Sequence, residues 1–210
     1  MVRVGGATRA WRGVFDPGED AYGNERAPIG LRATRKTAMN GRAMRVLAVD
    51  PSLRSSGFAI LEKVNGKVCS IEYGLIRNRP DIPMSSCLVA VRDRLAELIH
   101  RYEPDAAAIE STIFVQSYRT AITLGAVRGA TIVALAERGV PIFEYAPRRV
   151  KQAVVGKGAA AKQQVGFMIR AMLGLTENPP PDAADALAIG LTHFQAHESA
   201  GRGVVTLSRI

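Results

Sequence analysis

From Met44 onward, apolar strand patterns and helical patterns follow one another in an order that few folds can accommodate. Three strand patterns come first, at 45–50, about 56–63 and about 67–77. The links between them are short, including a turn at Gly66. Parallel neighbours would need a long crossover connection, so these three strands are predicted to form an antiparallel meander.

The next part of the chain predicts a parallel crossover. A strand pattern at 105–110 leads into a long helical pattern at about 117–138, and another strand follows at 141–145. A strand, a helix and a strand in this order form a right-handed parallel unit. Other helical patterns lie at 88–102, 148–155, 160–173 and from Asp182 onward. The sequence therefore predicts an α/β fold, with a mixed five-stranded sheet flanked by helices on both faces.

Residues 1–43 differ in composition from the rest of the chain. They contain eight Lys or Arg, four Asp or Glu, seven of the 20 glycines, and no sustained helical or strand period. We expect a disordered leader here, not a secretory signal, because the segment lacks an apolar core. We hypothesise that the native protein starts at Met39 or Met44, which intact-mass measurement would test. One domain is predicted at 44–197, followed by a tail at 198–210.

Two of the strand patterns end in a carboxylate. Asp50 closes the apolar run 45–49, and Glu110 closes the run 106–109. If these strands are parallel neighbours, both acids lie at the edge where open α/β sheets bind their ligands. Each acid also has a plainer interpretation, Asp50 as the opener of an Asp-Pro turn and Glu110 as an acid that reaches solvent. Neither residue alone predicts a site.

Asp182 and Asp185 stand three residues apart at the start of the last helical pattern. Taken alone, they are typical of an N-cap and an acidic first turn, which the helix dipole favours. However, positions i and i+3 share one face, and residues 183–189 are apolar on nearly all sides. Such a helix is predicted to be buried, and its carboxylates then need a cation or hydrogen bonds.

Four acids from three elements make a ligand set that suits magnesium. Mg²⁺ binds oxygen ligands and retains several waters, and a pair of such ions serves phosphoryl displacement. We therefore predict two Mg²⁺ ions per site, with Mn²⁺ as a substitute. The chain has only two cysteines, without C-x-x-C spacing, and three histidines. That composition argues against a zinc site or a disulfide framework and fits a reducing compartment.

The net charge of +9 favours a polyanionic partner, with nucleic acid ahead of an anionic membrane surface, although charge alone does not decide between them. Without residues 1–43 the charge is still +5, from 20 basic and 15 acidic residues. The span 138–170 alone has a net charge of +6, with Glu144 as its single acid, and the rest of residues 44–210 is therefore slightly acidic. Charged residues interrupt the apolar stretches before ~18 residues, so no membrane span is expected. The basic residues of this span are Arg138, Arg148, Arg149, Lys151, Lys157, Lys162 and Arg170.

Two lysines of this basic span are candidates for contacting the scissile phosphate. A cation at that position would stabilise charge that develops during cleavage, and we single out Lys151 and Lys162. The alternative for the span as a whole is a solvated helix face. Further candidates for contacts to the DNA backbone are Lys157, Arg148 and Arg149.

Two aromatic residues follow Glu110 at a short distance in the sequence. Phe114 and Tyr118 are candidates for stacking on unpaired bases, since any base offers a flat face to an aromatic ring. Core packing explains Phe114 nearly as well. Both residues are therefore weaker candidates than the acids.

Five segments, which follow one another along the chain, resemble those of a known family. Through them, residues 44–197 are similar to the RuvC-type Holliday junction resolvases. The segments are Leu-Ala-Val-Asp-Pro-Ser at 47–52, Ala-Ile-Glu-Ser at 108–111, Leu-Gly-Ala-Val-Arg-Gly at 124–129, Val-Lys-Gln-Ala-Val-Val-Gly at 150–156 and Asp-Ala-Ala-Asp-Ala-Leu-Ala-Ile at 182–189.

The resemblance implies an RNase H-like fold and a cytoplasmic homodimer with two active sites. It also implies magnesium-dependent, symmetric nicking of four-way DNA junctions in recombination and repair, leaving 5′-phosphate and 3′-hydroxyl ends. A branch-migration complex of the RuvA and RuvB type is the implied partner. Carried over by position, the metal-binding catalytic acids are Asp50, Glu110, Asp182 and Asp185, and the phosphate-contacting lysines are Lys151 and Lys162.

The chain departs from the family pattern at three positions. Ser52 stands where the family commonly has glycine after Asp-Pro, and Ser111 stands where glutamine often follows the catalytic glutamate. In a familiar version of the family motif, an aromatic residue that disturbs base pairing at the junction stands one position before Phe114. This chain has Ile113 at that position. The resemblance therefore does not assign that role to Phe114.

Two other classes of protein compete with this interpretation. An actin-like ATPase or sugar kinase is one, because Asp50 followed by Ser55, Ser56 and Gly57 loosely resembles a phosphate-binding loop. That fold repeats its half-domain, and the 167 residues from Met44 leave no room for two. A non-catalytic junction-binding protein is the other, and the presence of all four acids argues against it.

Overall fold

A computed structural model describes residues 43–111, 117–156, 162–203 and 209–210 of the 210-residue chain. These residues all lie within one compact unit. The predicted leader, apart from its last residue, falls outside the described residues, as do Phe114 and Lys157.

The described residues form five strands and five helices, in the order that the sequence predicts. The strands are β1 (Met44–Asp50), β2 (Ser55–Val64), β3 (Lys67–Arg77), β4 (Ala106–Glu110) and β5 (Ile142–Tyr145). The helices are α1 (Met84–Tyr102), α2 (Tyr118–Ala136), α3 (Pro147–Val155), α4 (Lys162–Leu173) and α5 (Pro181–Gly201).

The strands form one mixed sheet in the order β3-β2-β1-β4-β5. Strand β1 pairs antiparallel with β2, and β2 pairs antiparallel with β3. The β2–β3 turn has Asn65 and Gly66 at positive φ, 50° and 82°, as a tight two-residue hairpin turn requires. Strand β4 runs parallel to both β1 and β5. The predicted meander followed by parallel strands is confirmed.

Side chains that alternate along the strands build a core on each face of the sheet. Val46 and Ala48 of β1 face a buried cluster that includes residues of α3, α4 and α5. Leu47 and Val49 face a second cluster with residues of α1 and α2. This is the period-2 pattern of a strand buried on both faces. The predicted helices on both faces are confirmed.

Helix α5 packs most closely on the sheet. Twelve of its 21 residues are buried, so it is the core helix that the apolar sequence at 183–189 predicts. Gly190 lies against Leu61 and Ala48, and an added Cβ atom there would overlap the Leu61 side chain. A glycine at this point therefore lets the helix backbone approach the strands.

Helix α2 is apolar and yet largely exposed. Only four of its 19 residues are buried: Val127, Thr131, Ala134 and Leu135. Contrary to the expectation from sequence, this helix is long and apolar enough to cross a membrane, although it contains two arginines. One such helix among the described residues is weak support for a membrane, since helices of globular proteins can have the same length and composition.

Arg209 and Ile210 contact β5 on the side that faces away from β4. Helix α5 continues to Gly201, four residues into the segment assigned to a tail. Arg209 forms an antiparallel bridge with Phe143, and its guanidinium lies 5.5 Å from the centroid of that ring. The N–H of Ile210 donates a hydrogen bond of 3.2 Å to the carbonyl of Ile142.

Candidate active site

Two of the predicted acids leave adjacent parallel strands at the same edge of the sheet. Val49 of β1 is paired with Ile109 of β4, so Asp50 and Glu110 each follow a paired residue. Neighbouring strands are about 5 Å apart. Both acids continue the alternation of the residues that face α5, so their side chains belong to that face. The predicted meeting of these two strand ends is confirmed.

The start of α5 lies against the start of β2. Gly57, which is paired with Asp50, sits so close to Asp182 that an added Cβ atom would overlap the Asp182 backbone carbonyl. Asp182 therefore stands beside the strand residue that neighbours Asp50. Three separate segments, the ends of β1 and β4 and the first turn of α5, therefore meet at one edge of the sheet.

The plainer interpretation of Asp182 as an N-cap does not match the structure. The N-cap residue of α5 is Pro180, no side chain caps the helix, and Asp182 belongs to the first turn. Its Oδ2 atom accepts a hydrogen bond of 2.6 Å from the hydroxyl of Ser55. The carboxylate thus points to β2 rather than to its own helix. Asp185 lies one turn further along the same face.

Two serines close the turn between Asp50 and β2. The N–H of Ser52 donates to Ser56 Oγ over 2.9 Å, and Ser56 Oγ donates to the Ser52 carbonyl over 2.6 Å. Ser56 is fully buried. This pair holds the loop that follows Asp50.

The four acids fit a divalent cation by chemistry and by exposure. All are carboxylates, the ligand type that Mg²⁺ prefers, and each is half-buried beside an otherwise buried strand or helix. Among the residues that the structure describes, no three His, Cys, Asp or Glu side chains converge into a ready-made metal cluster. The structure brings together the segments that carry the acids. The assignment of Asp50, Glu110, Asp182 and Asp185 as metal ligands stays a prediction.

The basic residues of α3 begin at the same edge of the sheet. Tyr145 is paired with Glu110, and α3 starts two residues later at Pro147. On α3, Arg148 is exposed and Lys151 is half-buried. The guanidinium of Arg149 lies 5.5 Å from the ring centroid of Tyr145. The geometry thus places the start of a basic helix next to the strand end that carries Glu110.

The remaining predicted contacts to DNA are placed only in part. Lys162 is the first residue of α4, and its side chain is outside the described structure. Tyr118 begins α2 and is 83% exposed, so its ring is accessible. Ser117 caps this helix by accepting a hydrogen bond of 3.2 Å from the N–H of Thr120.

A buried Tyr–His pair lies behind the site and was not predicted from the sequence. Tyr145, the strand partner of Glu110, makes a hydrogen bond of 2.8 Å with Nδ1 of His193 on α5. Burial, and to a lesser extent His197, lowers the pKa of His193 to about 4. Burial raises the pKa of Tyr145 to about 12, with Arg149 opposing the shift. Both groups are therefore neutral at pH 7.

The sequence is similar to one known protein family over most of its length. The sequence model of the family described as crossover junction endodeoxyribonuclease RuvC matches residues 46–193. A RuvC of Akkermansia muciniphila is 49% identical over 151 residues, which cover 72% of this chain and 90% of the relative. A RuvC of Pelotomaculum thermopropionicum is 42% identical over 151 residues, covering 71% of this chain and 92% of the relative.

Solved structures agree with the sequence relatives. Thermus thermophilus RuvC in complex with Holliday junction substrate aligns with a TM-score of 0.71 and 35% identity, over 80% of this chain and 99% of that one. A yeast mitochondrial Holliday junction resolvase has a TM-score of 0.52 at 14% identity, covers 82% of this chain and 89% of that one, and shows the fold alone. The predicted RNase H-like fold is confirmed. Because the family model matches more than half of its residues, this chain belongs to the RuvC family of crossover junction endodeoxyribonucleases.

Proposed function

We propose that this chain resolves Holliday junctions by nicking two opposing strands of a four-way DNA junction. The observation that carries the proposal is the meeting of Asp50 and Glu110, on adjacent parallel strands, with the start of α5 and its Asp182. Both RuvC relatives are named crossover junction endodeoxyribonucleases, and the Thermus RuvC structure contains a Holliday junction substrate. Membership of the family also disfavours the ATPase alternative.

The four acids would hold two Mg²⁺ ions, for which Mn²⁺ would substitute. When bound, such ions supply an activated water and stabilise the leaving oxygen of the phosphodiester. Hydrolysis with the 3′ oxygen as the leaving group would leave 5′-phosphate and 3′-hydroxyl ends. In this scheme the chain orients the reaction, because Asp50 and Glu110 project from a rigid sheet and Asp182 and Asp185 from a buried helix.

The basic side chains near the acids would contact the DNA backbone. Arg148 and Lys151 lie on α3, which follows directly after β5, the strand paired with β4 and Glu110. They would neutralise phosphates close to the acids. Lys162 begins the next helix in sequence and would make a similar contact. Tyr118, at 83% exposure, would be available to stack on a base.

A homodimer would bring one site to each of two opposing strands. The exposed apolar face of α2 supports this assembly, with Ile122 and Val133 at 52% and 49% exposure. Exposed apolar side chains on one side of a helix would gain by contact with another protein surface in place of water. We assign this face to a second copy of the chain. A branch-migration complex of the RuvA and RuvB type is the further proposed partner, and the cytoplasm the proposed compartment.

Cleavage of synthetic DNA tests the proposal. A mobile four-way junction, a plain duplex and a single strand are incubated with the protein in Mg²⁺ or in EDTA. We expect paired, ligatable nicks in the junction alone and only with the metal. Asp50→Asn and Asp182→Asn should each slow nicking at least ~100-fold while junction binding persists. Asp81→Asn, which changes an exposed acid on the loop before α1, is the matched control and should cut like the wild type.

Two results would contradict the proposal. Wild-type cutting by Asp182→Asn would remove that residue from the site. Tight junction binding by the unaltered protein, with no nicks in Mg²⁺ or Mn²⁺, would favour the non-catalytic junction-binding class instead.

A further inference from the structure

We propose that Ser55 is a positioning residue for the metal site, and that its hydroxyl holds the Asp182 carboxylate in the orientation that binds the cation. The inference deepens the proposed function and rests on the assignment of Asp182 as a metal ligand. It adds a residue that lies on β2, a strand that carries none of the four acids.

The hydrogen bond between Ser55 and Asp182 is short, with the hydroxyl as donor and the carboxylate as acceptor. Ser55 Oγ donates to Asp182 Oδ2 over 2.6 Å, which is the length of a charge-assisted hydrogen bond between a hydroxyl and a carboxylate. Among the described residues, Ser55 is the only donor that contacts this carboxylate. A carboxylate that accepts such a bond at one oxygen can still offer the other oxygen to a metal.

Both partners of this bond are anchored by their backbones. Ser55 begins β2 and is paired with Arg77 of β3, so its Cα atom is part of the sheet. Asp182 lies in the first turn of α5, whose backbone rests against Gly57. What the backbone leaves undetermined is the rotation of the carboxylate, and a hydroxyl at this distance determines it. Groups that orient metal ligands in this way typically change metal affinity 10- to 100-fold when they are removed.

A purely structural tie between β2 and α5 is the competing explanation. That tie does not need the hydroxyl, because Ala59 and Leu61 of β2 are fully buried in the same cluster as Ala186 and Leu187 of α5. Ser55 is itself only half-buried, so losing its hydroxyl leaves no large cavity. We therefore expect its removal to change metal binding much more than folding.

Binding of Mn²⁺ to the protein without DNA separates these explanations. Electron paramagnetic resonance counts free Mn²⁺ during a titration, and the melting temperature in EDTA reports folding. Ser55→Ala should weaken Mn²⁺ binding about 10-fold with little change in melting temperature. Ser55→Cys, which keeps a similar volume but is a weak hydrogen-bond donor, should also weaken Mn²⁺ binding. Ser55→Thr keeps the hydroxyl and should bind Mn²⁺ like the wild type. Ser199→Ala removes a hydroxyl near the other end of α5 and is the control that should bind like the wild type.

A double-mutant cycle identifies the residue through which Ser55 acts. In an Asp182→Asn background, Ser55→Ala should cause no further loss of Mn²⁺ affinity, because its target is already altered. An equal loss in both backgrounds would overturn the inference, as would wild-type affinity in both Ser55→Ala and Ser55→Cys.

The cycle also separates this inference from the proposed function. If Asp182→Asn itself leaves Mn²⁺ affinity unchanged, the assignment of the metal ligand is wrong and the inference falls with it. If Asp182→Asn weakens binding and the Ser55 variants do not, only the role of Ser55 is wrong.

Discussion

Gly57 on β2 lies directly against the backbone carbonyl of Asp182 on α5, with no space for a Cβ atom between them. The same glycine is paired across the sheet with Asp50. One residue without a side chain therefore determines how closely the helix that carries two of the acids approaches the strand that carries a third.

Gly57→Ala should damage folding and cleavage together. The new methyl group would meet a backbone oxygen, which cannot move away as a flexible side chain would, so α5 must shift. We expect a loss of about 1–3 kcal/mol in unfolding free energy and a large drop in junction nicking. Urea denaturation and junction cleavage measure both effects. Gly166→Ala, in a helix with open space around the site, should be neutral or stabilise by up to about 1 kcal/mol. A Gly57 variant of full stability and activity would show that this close approach is unimportant.

The buried His193 should make the protein less stable in mild acid. Because burial lowers its folded-state pKa from 6.5 to about 4, the unfolded chain binds the proton more readily. Stability should therefore fall as the pH drops from about 6.5 to about 4, by roughly 3 kcal/mol in total from this group. His193→Asn should flatten that part of the profile of unfolding free energy against pH. His100→Gln, at an exposed position of α1, should keep the wild-type slope. An unchanged slope in His193→Asn would place the acid sensitivity elsewhere.

Ile122→Asp should weaken the homodimer that we propose. Its side chain is 52% exposed on the apolar face of α2, and a dimer through this face would bury the new charge without a partner. We expect at least a ~10-fold rise in the dimer dissociation constant, measured by sedimentation equilibrium. Val89→Asp changes a side chain of the same 52% exposure on α1 and should leave the dimer intact. Equal effects of the two variants would move the dimer surface away from α2.

Lys151→Gln should lower the salt dependence of junction binding. If this lysine neutralises one phosphate, the slope of log K against log salt should become less steep by about 0.9. Binding is measured in EDTA at several salt concentrations, so that cleavage does not interfere. Lys67→Gln, an exposed lysine at the β2–β3 turn, should keep the wild-type slope. A Lys151 variant with that same slope would mean that this residue faces away from the DNA.

The fold was predictable because its signals are local. Strand and helix periods and a turn at Gly66 specify each element within a few residues of itself, and the order of elements then restricts the topology. The acids at two strand ends were predictable for the same reason. Once β1 and β4 are parallel neighbours, Asp50 and Glu110 must meet at one edge.

The parts that sequence did not predict depend on contacts between distant positions. Ser55 and Asp182 are 127 residues apart, and Tyr145 and His193 are 48 residues apart. No period or spacing links such pairs, because their contact arises only when α5 packs on the sheet. Ser55 stood in a Ser-Ser-Gly segment that resembled a phosphate loop, and its actual partner is a carboxylate.

Helix α5 contributes both to the core and to the proposed site. Its body supplies twelve buried residues to the core, and its first turns carry Asp182 and Asp185. A larger side chain at a buried position such as Ala186 or Gly190 would therefore shift the acids as well as disturb the packing. Substitutions on this helix therefore affect stability and chemistry together, so changes meant to stabilise the protein without altering its chemistry should begin on α1, which carries none of the proposed site residues.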